Sequence, residues 1–155
     1  MQPSTTLTAN CPNSFTVTVL GKPAPQGSKR HVGNGVMVES SNRCKPWRQD
    51  VRHATLELLP DGWHARMEDA MLLSITFVFA RPKNHFRANG RLKPSAPKHC
   101  ISRIGDVDKL SRAVLDSLTG ICFHDDAAVI SLIATRRYAT ATESPCAIIT
   151  VTALN

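Results

Sequence analysis

The sequence predicts an α+β fold, a single domain in which a mixed β-sheet packs against two main helices. The prediction rests on two hydrophobic periodicities, a strict alternation over short segments and a 3.6-residue repeat over two longer ones. The chain has 155 residues and 42% hydrophobic side chains, the size and composition of one globular unit with a single core. The elements follow in the order strand, short strand, helix, strand, helix, strand, strand, which is typical of a mixed architecture.

Five segments have the pattern of β-strands. The clearest is Met71–Ala80, in which every second residue is a large hydrophobic side chain (Leu73, Ile75, Phe77 and Phe79). Phe15–Leu20 alternates in the same way. The remaining strand candidates are the short Gly35–Glu39 and, late in the chain, Val129–Tyr138 and Cys146–Leu154.

Two segments have helical spacing. Apolar residues recur along Pro46–Leu59, which ends at a Pro-Asp-Gly stop, and they form a narrow stripe along Asp108–Leu118. In the second helix Asp108 is the predicted N-cap, and Gly120 is the predicted left-handed residue at the C-terminal end. Two connections remain as loops, the basic Gly21–Gly35 and the long Arg81–Gly105.

The N-terminal segment and the cysteines exclude several classes of protein. The sequence contains no run of 18 apolar residues, so no membrane span is predicted. Residues 1–13 lack the charged start and apolar run of a signal peptide. We expect these residues to form a disordered arm before a domain over residues 14–155, in a cytoplasmic protein. The five cysteines include no C-x-x-C pair. A zinc site from His99-Cys100 and Cys122-x-His124 is conceivable, but the spacing favours buried thiols.

Charge is distributed unevenly along the chain. The formal net charge is +7, and the segment from Arg81 to Gly105 holds seven Lys or Arg residues and no acid. Five of the twelve acids then fall between Asp106 and Asp126. A basic segment that leads directly into an acidic cluster is typical of a site that holds a polyanion next to a cation.

The acidic cluster indicates metal chemistry. Asp106 and Asp108 flank Val107 at a loop-to-helix junction, and Asp125-Asp126 follows the helix. Two carboxylates about 5 Å apart repel by roughly 3 kcal/mol at an effective dielectric constant near 20, so either a cation or raised pKa values must offset the repulsion. Hard Mg²⁺ prefers such oxygen ligands and supports phosphodiester cleavage. Asp126 reaches the other two acids only if Ile121–His124 extends back along the helix.

These acids also have other interpretations. Taken singly, Asp108 is explained as a helix cap and Asp125-Asp126 as a turn. A glycosidase would also use paired carboxylates. The basic loop argues against that reading, because a neutral sugar gains nothing from seven cations.

The segment from Asp106 to Gly120, followed by Asp125-Asp126 and Val129, resembles the RusA family of Holliday junction resolvases. That family's core reads roughly D-x-D-N-x-x-K-x-x-x-D-(A/S)-L-x-G and then D-D-x-x-(I/V). The G-K-P-x-P-x-x-S-K-R loop over Gly21–Arg30 is similar to the family's basic, proline-containing start. The resemblance spans about Phe15 to Tyr138.

The resemblance implies a RusA-like fold and a homodimeric, Mg²⁺-dependent endonuclease that nicks four-way DNA junctions, with Mn²⁺ as a substitute metal. By motif position Asp106, Asp108 and Asp126 would bind the metal, and Asp125 would contribute or shape the turn. Asp116 matches a family position and is interpreted as structural, paired with Arg112. A two-fold dimer would match the symmetry of the junction. RusA-like proteins occur in bacteria and often in their phages and prophages, and either origin would place this protein in the bacterial cytoplasm.

The chain departs from the family pattern at two positions. Lys109 stands where the family has Asn, and Arg112 stands where it has Lys. Arg112 keeps the positive charge but presents a planar fork, and Lys109 is the alternative cation at the phosphate. The departures are compatible with an active enzyme, with an altered substrate preference or with a weakened nuclease.

The first hypothesis is therefore a junction-resolving endonuclease with catalytic residues Asp106, Asp108, Asp126 and Lys109 or Arg112. Six basic residues are predicted to bind the DNA backbone: Lys29, Arg30, Arg87, Arg91, Lys93 and Lys98. The second hypothesis is a non-catalytic junction-binding protein on the same scaffold. The third is a metal nuclease that acts on other branched or flapped DNA, or on RNA.

Overall fold

Six strands and two α-helices make up the described part of the chain, residues 11–27, 29–39, 42–101 and 104–154 of the computed structural model. The strands are β1 (Ser14–Leu20), β2 (Lys29–His31), β3 (Met37–Glu39), β4 (Ala70–Phe79), β5 (Val129–Tyr138) and β6 (Cys146–Leu154). The helices are α1 (Cys44–Leu58) and α2 (Val107–Leu118). Short 3₁₀ turns cover Trp63–Arg66, Lys83–His85 and Asp126–Ala128.

Four strands form one mixed sheet in the order β1-β6-β4-β5. β6 runs antiparallel to both of its neighbours, whereas β4 and β5 are parallel and α2 lies in the connection between them. β2 and β3 pair separately as a small antiparallel sheet. This architecture confirms the predicted α+β class, with one domain, a mixed sheet and two helices.

The core lies between the two helices and one face of the sheet. Leu73, Ile75 and Phe77 of β4 are buried on that face, as their alternation predicts. Trp63 closes one end of the core, where its Nε1 donates to the Cys122 carbonyl at 3.0 Å and its ring packs edge-on against Phe15. Among the described residues, no helix is long and apolar enough to cross a membrane.

The opposite face of the sheet is lined by hydroxyl side chains. Thr16 Oγ1 lies 2.8 Å from Thr150 Oγ1, and Ser14 Oγ lies 2.9 Å from Thr152 Oγ1, across the β1–β6 pair. Cross-strand hydroxyl pairs of this kind stabilise a sheet without apolar cover. The open face thus carries a row of paired hydroxyl groups across β1 and β6, opposite the apolar face that packs under the helices.

Most element boundaries agree with the sequence patterns, and the connections are where they differ. The segment Gly21–Gly35 is not entirely loop, because Lys29–His31 pairs with Met37–Glu39. The predicted arm over residues 1–13 lies outside the described residues except for its last three. There, Arg66 Nη2 donates to the Cys11 carbonyl at 3.1 Å, and the Asn13 carbonyl accepts from Ala153 N at 2.7 Å.

The C-terminal end of α2 has a different geometry from the predicted one. Gly120 has the expected positive φ of 80°. Its amide, however, donates to the Phe123 carbonyl at 2.7 Å rather than to a helix carbonyl. Ile121 N donates to the Leu118 carbonyl at 3.0 Å, so Leu118–Ile121 forms a tight turn with glycine at its third position. The helix thus ends in a compact turn.

A bidentate ion pair closes the end of the sheet beyond β5. Arg137 Nη1 and Nη2 donate to the two carboxylate oxygens of Glu143 at 2.6 and 2.7 Å, and Thr140 N donates to the same carboxylate at 3.1 Å. The hydrogen bond from Arg137 is the main reason that the pKa of Glu143 falls from 4.5 to about 2.

We expect Glu143→Gln to remove a pH-dependent part of the stability. A carboxyl group with a lowered native-state pKa stabilises the fold above its unfolded-state value, and that stabilisation is lost as the pH falls toward the native value. The difference in free energy of unfolding between wild type and variant should be constant above about pH 5 and shrink between pH 4.5 and about 2. Denaturant unfolding at several pH values measures it, and a pH-independent difference would contradict the assignment.

Candidate active site at the start of the second helix

Asp106 and Asp108 lie at the N-terminal end of α2, and both are exposed. Asp106, rather than Asp108 as predicted, occupies the N-cap position, with an extended backbone (φ −73°, ψ 146°), and Asp108 lies in the first turn. An aspartate at an N-cap usually accepts a hydrogen bond from the first-turn amides. The Asp106 side chain makes no such bond, and its Oδ2 instead lies 3.5 Å from Lys109 Nζ. The Asp106 carboxylate therefore does not cap the helix.

Three contacts fix the backbone just before Asp106. Gly105 has a φ of 138°, and Pro25 packs so closely on it that an added Cβ would lie 2.8 Å from Pro25 Cγ. Arg136 of β5 donates from Nη1 to the Gly105 carbonyl. Gln26 N donates to the Lys109 carbonyl at 3.0 Å, which ties the proline-containing loop to the first turn of α2. These contacts make the position of the two aspartates a property of the tertiary fold.

A shallow groove begins at Asp108 and runs between α2 and β5. Its volume is about 430 Å³, and its walls are formed by Val107, Asp108, Ser111, Arg112, Leu115, Leu132 and Ala134. Asp108 and Arg112 lie one helical turn apart on the same wall, and both are exposed. An exposed cation thus stands beside the exposed carboxylate, an arrangement suited to a phosphate group.

Asp126 lies at the opposite end of α2 from Asp106 and Asp108. The tight turn after the helix leaves no extended segment over Ile121–His124, so the return along the helix that the sequence interpretation required is absent. β5 follows Asp126–Ala128 and runs antiparallel to α2, as its contacts with the groove and with Gly105 show. A helix of 12 residues is roughly 18 Å long. One chain therefore places Asp106 and Asp108 at the same end of α2 but keeps Asp126 apart from them.

Two further acids have structural roles. Asp125 Oδ1 accepts a hydrogen bond from Ala127 N at 2.8 Å and so begins the 3₁₀ turn that contains Asp126. Asp116 does not pair with Arg112, the partner that the sequence suggested. Its Oδ2 lies 3.7 Å from Arg48 Nη1 and joins α2 to α1.

Within the described residues, no three His, Cys, Asp or Glu side chains are grouped so that they could hold one metal ion. Asp106 and Asp108 alone provide two exposed carboxylates. This donor set fits Mg²⁺, which proteins often bind through one or two carboxylates together with water and substrate phosphates.

Two residues considered as zinc ligands in the sequence, Cys122 and His124, make other interactions in the structure. Burial raises the pKa of Cys122 to about 12, so its thiol stays protonated at neutral pH. His124 Nε2 lies 3.0 Å from Glu68 Oε1.

The predicted DNA-binding residues fall into two groups. Lys29 and Arg30 lie in β2, and their side chains are outside the described part of the chain. Arg87, Arg91, Lys93 and Lys98 belong to the segment Arg81–Gly105, where Arg87, Arg91 and Lys98 are exposed and Lys93 is half-buried. This segment is not the structureless loop that the sequence suggested, because Phe86 and Leu92 form an antiparallel bridge within it.

The residues that position the site are not evident from the sequence. Nothing in the local sequence marks the contact of Pro25 or Arg136 with Gly105, since both partners are far away along the chain. The bridge at Phe86 had a local signal, the Asn89-Gly90 dipeptide, which is typical of tight hairpin turns.

We expect Gly105→Ala to destabilise the protein by about 1–3 kcal/mol, because alanine opposes the positive φ and its Cβ would meet Pro25. The matched control is Gly90→Ala, where φ is also positive (78°) but no atom lies within 4 Å of an added Cβ. Thermal unfolding should show a larger loss for Gly105→Ala than for the control. Equal losses would show that the contact with Pro25 does not constrain the start of α2.

Comparison with known proteins identifies the family of this chain. The family model described as Endodeoxyribonuclease RusA matches residues 21–152, most of the chain. A search of curated proteins found no significant match. The matched range includes the loop around Pro25, all of α2 and both acid pairs. The chain therefore belongs to the RusA family of endodeoxyribonucleases.

Proposed function

We propose that this protein is a Mg²⁺-dependent endodeoxyribonuclease that resolves four-way DNA junctions by paired nicks, as a homodimer in the bacterial cytoplasm. The observation that carries the proposal is the exposed pair Asp106 and Asp108 at the start of α2. Membership of the RusA family makes this pair the expected site of phosphodiester cleavage.

Asp106 and Asp108 would hold the metal ion, which Mn²⁺ can replace. The Asp106 carboxylate makes no capping hydrogen bond, so its oxygens can serve as ligands without loss of a helix cap. When bound, the cation supplies a water nucleophile at neutral pH and stabilises the charge that develops on the leaving oxygen. The role of the protein is to place the two carboxylates and to hold the scissile phosphate beside them.

Lys109 and Arg112 supply the positive charge for that phosphate. Lys109 Nζ lies beside Asp106, and Arg112 lies one turn beyond Asp108 along the groove. A DNA phosphate that approaches the start of α2 would meet one cation beside each carboxylate. Arg112 suits this role because its planar fork binds phosphate oxygens in a bidentate manner. The two departures from the family pattern thus keep the chemistry that the site needs.

The DNA backbone would extend from this site over the basic residues Arg87, Arg91, Lys93 and Lys98. They belong to a segment that leads directly into Asp106 and contains no acid. Lys29 and Arg30 follow the loop that packs on Gly105, so their backbone also lies near the start of α2. Contacts of this kind bind phosphates without reading sequence and weaken steeply as salt concentration rises.

Dimerisation would supply the third acid. β5 is an edge strand, and three of its apolar side chains are exposed: Ile130 (64%), Leu132 (40%) and Ile133 (62%). An exposed apolar edge strand is a surface prone to pairing. A two-fold axis near β5 would set the N-terminal end of one α2 beside the C-terminal end of the other, and so place the partner subunit's Asp126 near Asp106 and Asp108.

Asp108→Asn should reduce junction cleavage at least about 100-fold, because it removes a metal ligand, and should leave junction binding nearly unchanged. Asp116→Asn is the matched control, since Asp116 lies on the same helix but pairs with Arg48. Cleavage and binding of a synthetic junction measure both effects. Near-normal cleavage by Asp108→Asn would reject the metal-site assignment.

A mixing experiment tests the composite site. Asp108→Asn and Asp126→Asn subunits should each be inactive alone. In the mixture about half of the dimers should be heterodimers with one intact site, so single nicks should reappear. If each chain carried all three ligands by itself, both sites of the heterodimer would be damaged and the mixture would stay inactive.

A further inference from the structure

The segment His85–Lys93, called here the basic hairpin, is a closed and well-anchored element. Arg87 N donates to the Arg91 carbonyl at 2.8 Å, and Lys93 N donates to the His85 carbonyl at 2.9 Å. At its base, the His85 ring packs edge-on against Tyr138 with centroids 5.5 Å apart. The hairpin therefore projects from the end of β5 in a fixed orientation.

The connection on either side of the hairpin is also tied to the sheet. The Arg81 guanidinium lies 4.3 Å from the centroid of the Tyr138 ring, and Arg81 Nη1 donates to the Pro97 carbonyl at 2.7 Å. A stacked and hydrogen-bonded arginine of this kind has a fixed plane. The rim of the space beneath the hairpin is thus rigid.

An open pocket of about 360 Å³ lies between the basic hairpin and the ends of β4 and β5. Its lining residues are Ala80, Arg81, Phe86, Leu92, Ala139, Thr140, Ala141 and Glu143. Phe86 and Leu92 are bridge partners, and they stay 37% and 47% exposed although both are large and apolar. The volume is within the range of small-molecule sites, about 300–1,000 Å³.

The pocket lies at the same edge of the sheet as the aspartates. β4 and β5 are parallel, so both end at this edge, and Arg136 near the end of β5 reaches Gly105 just before Asp106. DNA bound at the start of α2 would pass close to the hairpin. The exposed cations Arg87 and Arg91 at its tip are placed to hold the phosphates of that DNA.

The chemistry of the pocket differs from that of the hairpin tip. Its walls include the exposed aromatic ring of Phe86 and the aliphatic side chain of Leu92. The two charged residues of the lining are engaged within the protein, Arg81 with Tyr138 and the Pro97 carbonyl, and Glu143 with Arg137 and Thr140. A nucleobase presents a flat π-face that can stack on an aromatic ring, so it fits these apolar walls better than the DNA backbone does.

We propose that this pocket binds an unpaired nucleobase next to the branch point of the DNA, with Phe86 stacked on the base and Leu92 against its edge. This inference rests on the proposed function, since it assumes a branched DNA substrate. A base at a branch point has lost a stacking neighbour, so extruding it costs less than inside a duplex. The pocket would thus recognise the branch, while the cations hold the backbone.

The test is a thermodynamic cycle between Phe86 and the base. Binding of a four-way junction is measured without divalent metal, so that no cleavage occurs, for wild type and Phe86→Ala. The junctions carry either normal nucleotides or an abasic residue at each position next to the branch. At one position the abasic residue should weaken wild-type binding about 5- to 100-fold and leave Phe86→Ala unaffected. Phe86 is partly exposed, so the variant should fold, as thermal unfolding would verify.

Arg87→Ala is the matched control. Its loss of affinity should be the same on normal and abasic junctions, because it contacts phosphate. If the losses of affinity from Phe86→Ala and from the abasic residue were additive at every position, while the wild type still preferred junctions to duplex, the pocket assignment would be overturned and the proposed function would stand. Equal wild-type binding to junction and duplex would contradict the proposed junction specificity, whereas a Phe86-dependent abasic effect would still support the pocket.

Discussion

The parallel pairing of β4 and β5 is the constraint on which the arrangement of the site depends. A helix that connects two parallel strands must run antiparallel to both of them. The N-terminal end of α2 therefore lies at the edge where β4 and β5 end, and its C-terminal end lies at the edge where they begin. Acids that precede and follow this helix are forced to opposite edges of the sheet, whatever their spacing in sequence.

The same constraint gathers the other functional features at one edge. The carboxyl ends of parallel strands are where α/β sheets usually bind ligands, because the connecting loops meet there. Here that edge holds Asp106 and Asp108, the basic hairpin and the pocket beneath it. The loop around Pro25 reaches the same edge from β1 and packs on Gly105. The proposed metal site, the proposed phosphate-binding residues and the pocket thus lie on one support.

Local patterns in the sequence were sufficient for the strands and helices of the core. Val129–Tyr138 and Cys146–Leu154 have the predicted bounds, because alternation and flanking polar residues define them locally. The arrangement of the site was harder to predict from the sequence. Asp106 and Asp108 both lie at the N-terminal end of α2, as the sequence predicts, but the N-cap is Asp106 and not Asp108. The distance from Asp108 to Asp126 depends on the turn at Gly120 and on the direction of β5, neither of which has a local signature.

Metal-dependent cleavage of branched DNA is tested first by an assay on a synthetic four-way junction. Linear duplex serves as the control, and each reaction is run with Mg²⁺ or with EDTA. We expect paired, symmetric nicks in the junction with Mg²⁺, none with EDTA and little cleavage of duplex. Tight junction binding without a nick in either Mg²⁺ or Mn²⁺ would rule out the proposed activity and would identify a scaffold that binds branched DNA without cutting it.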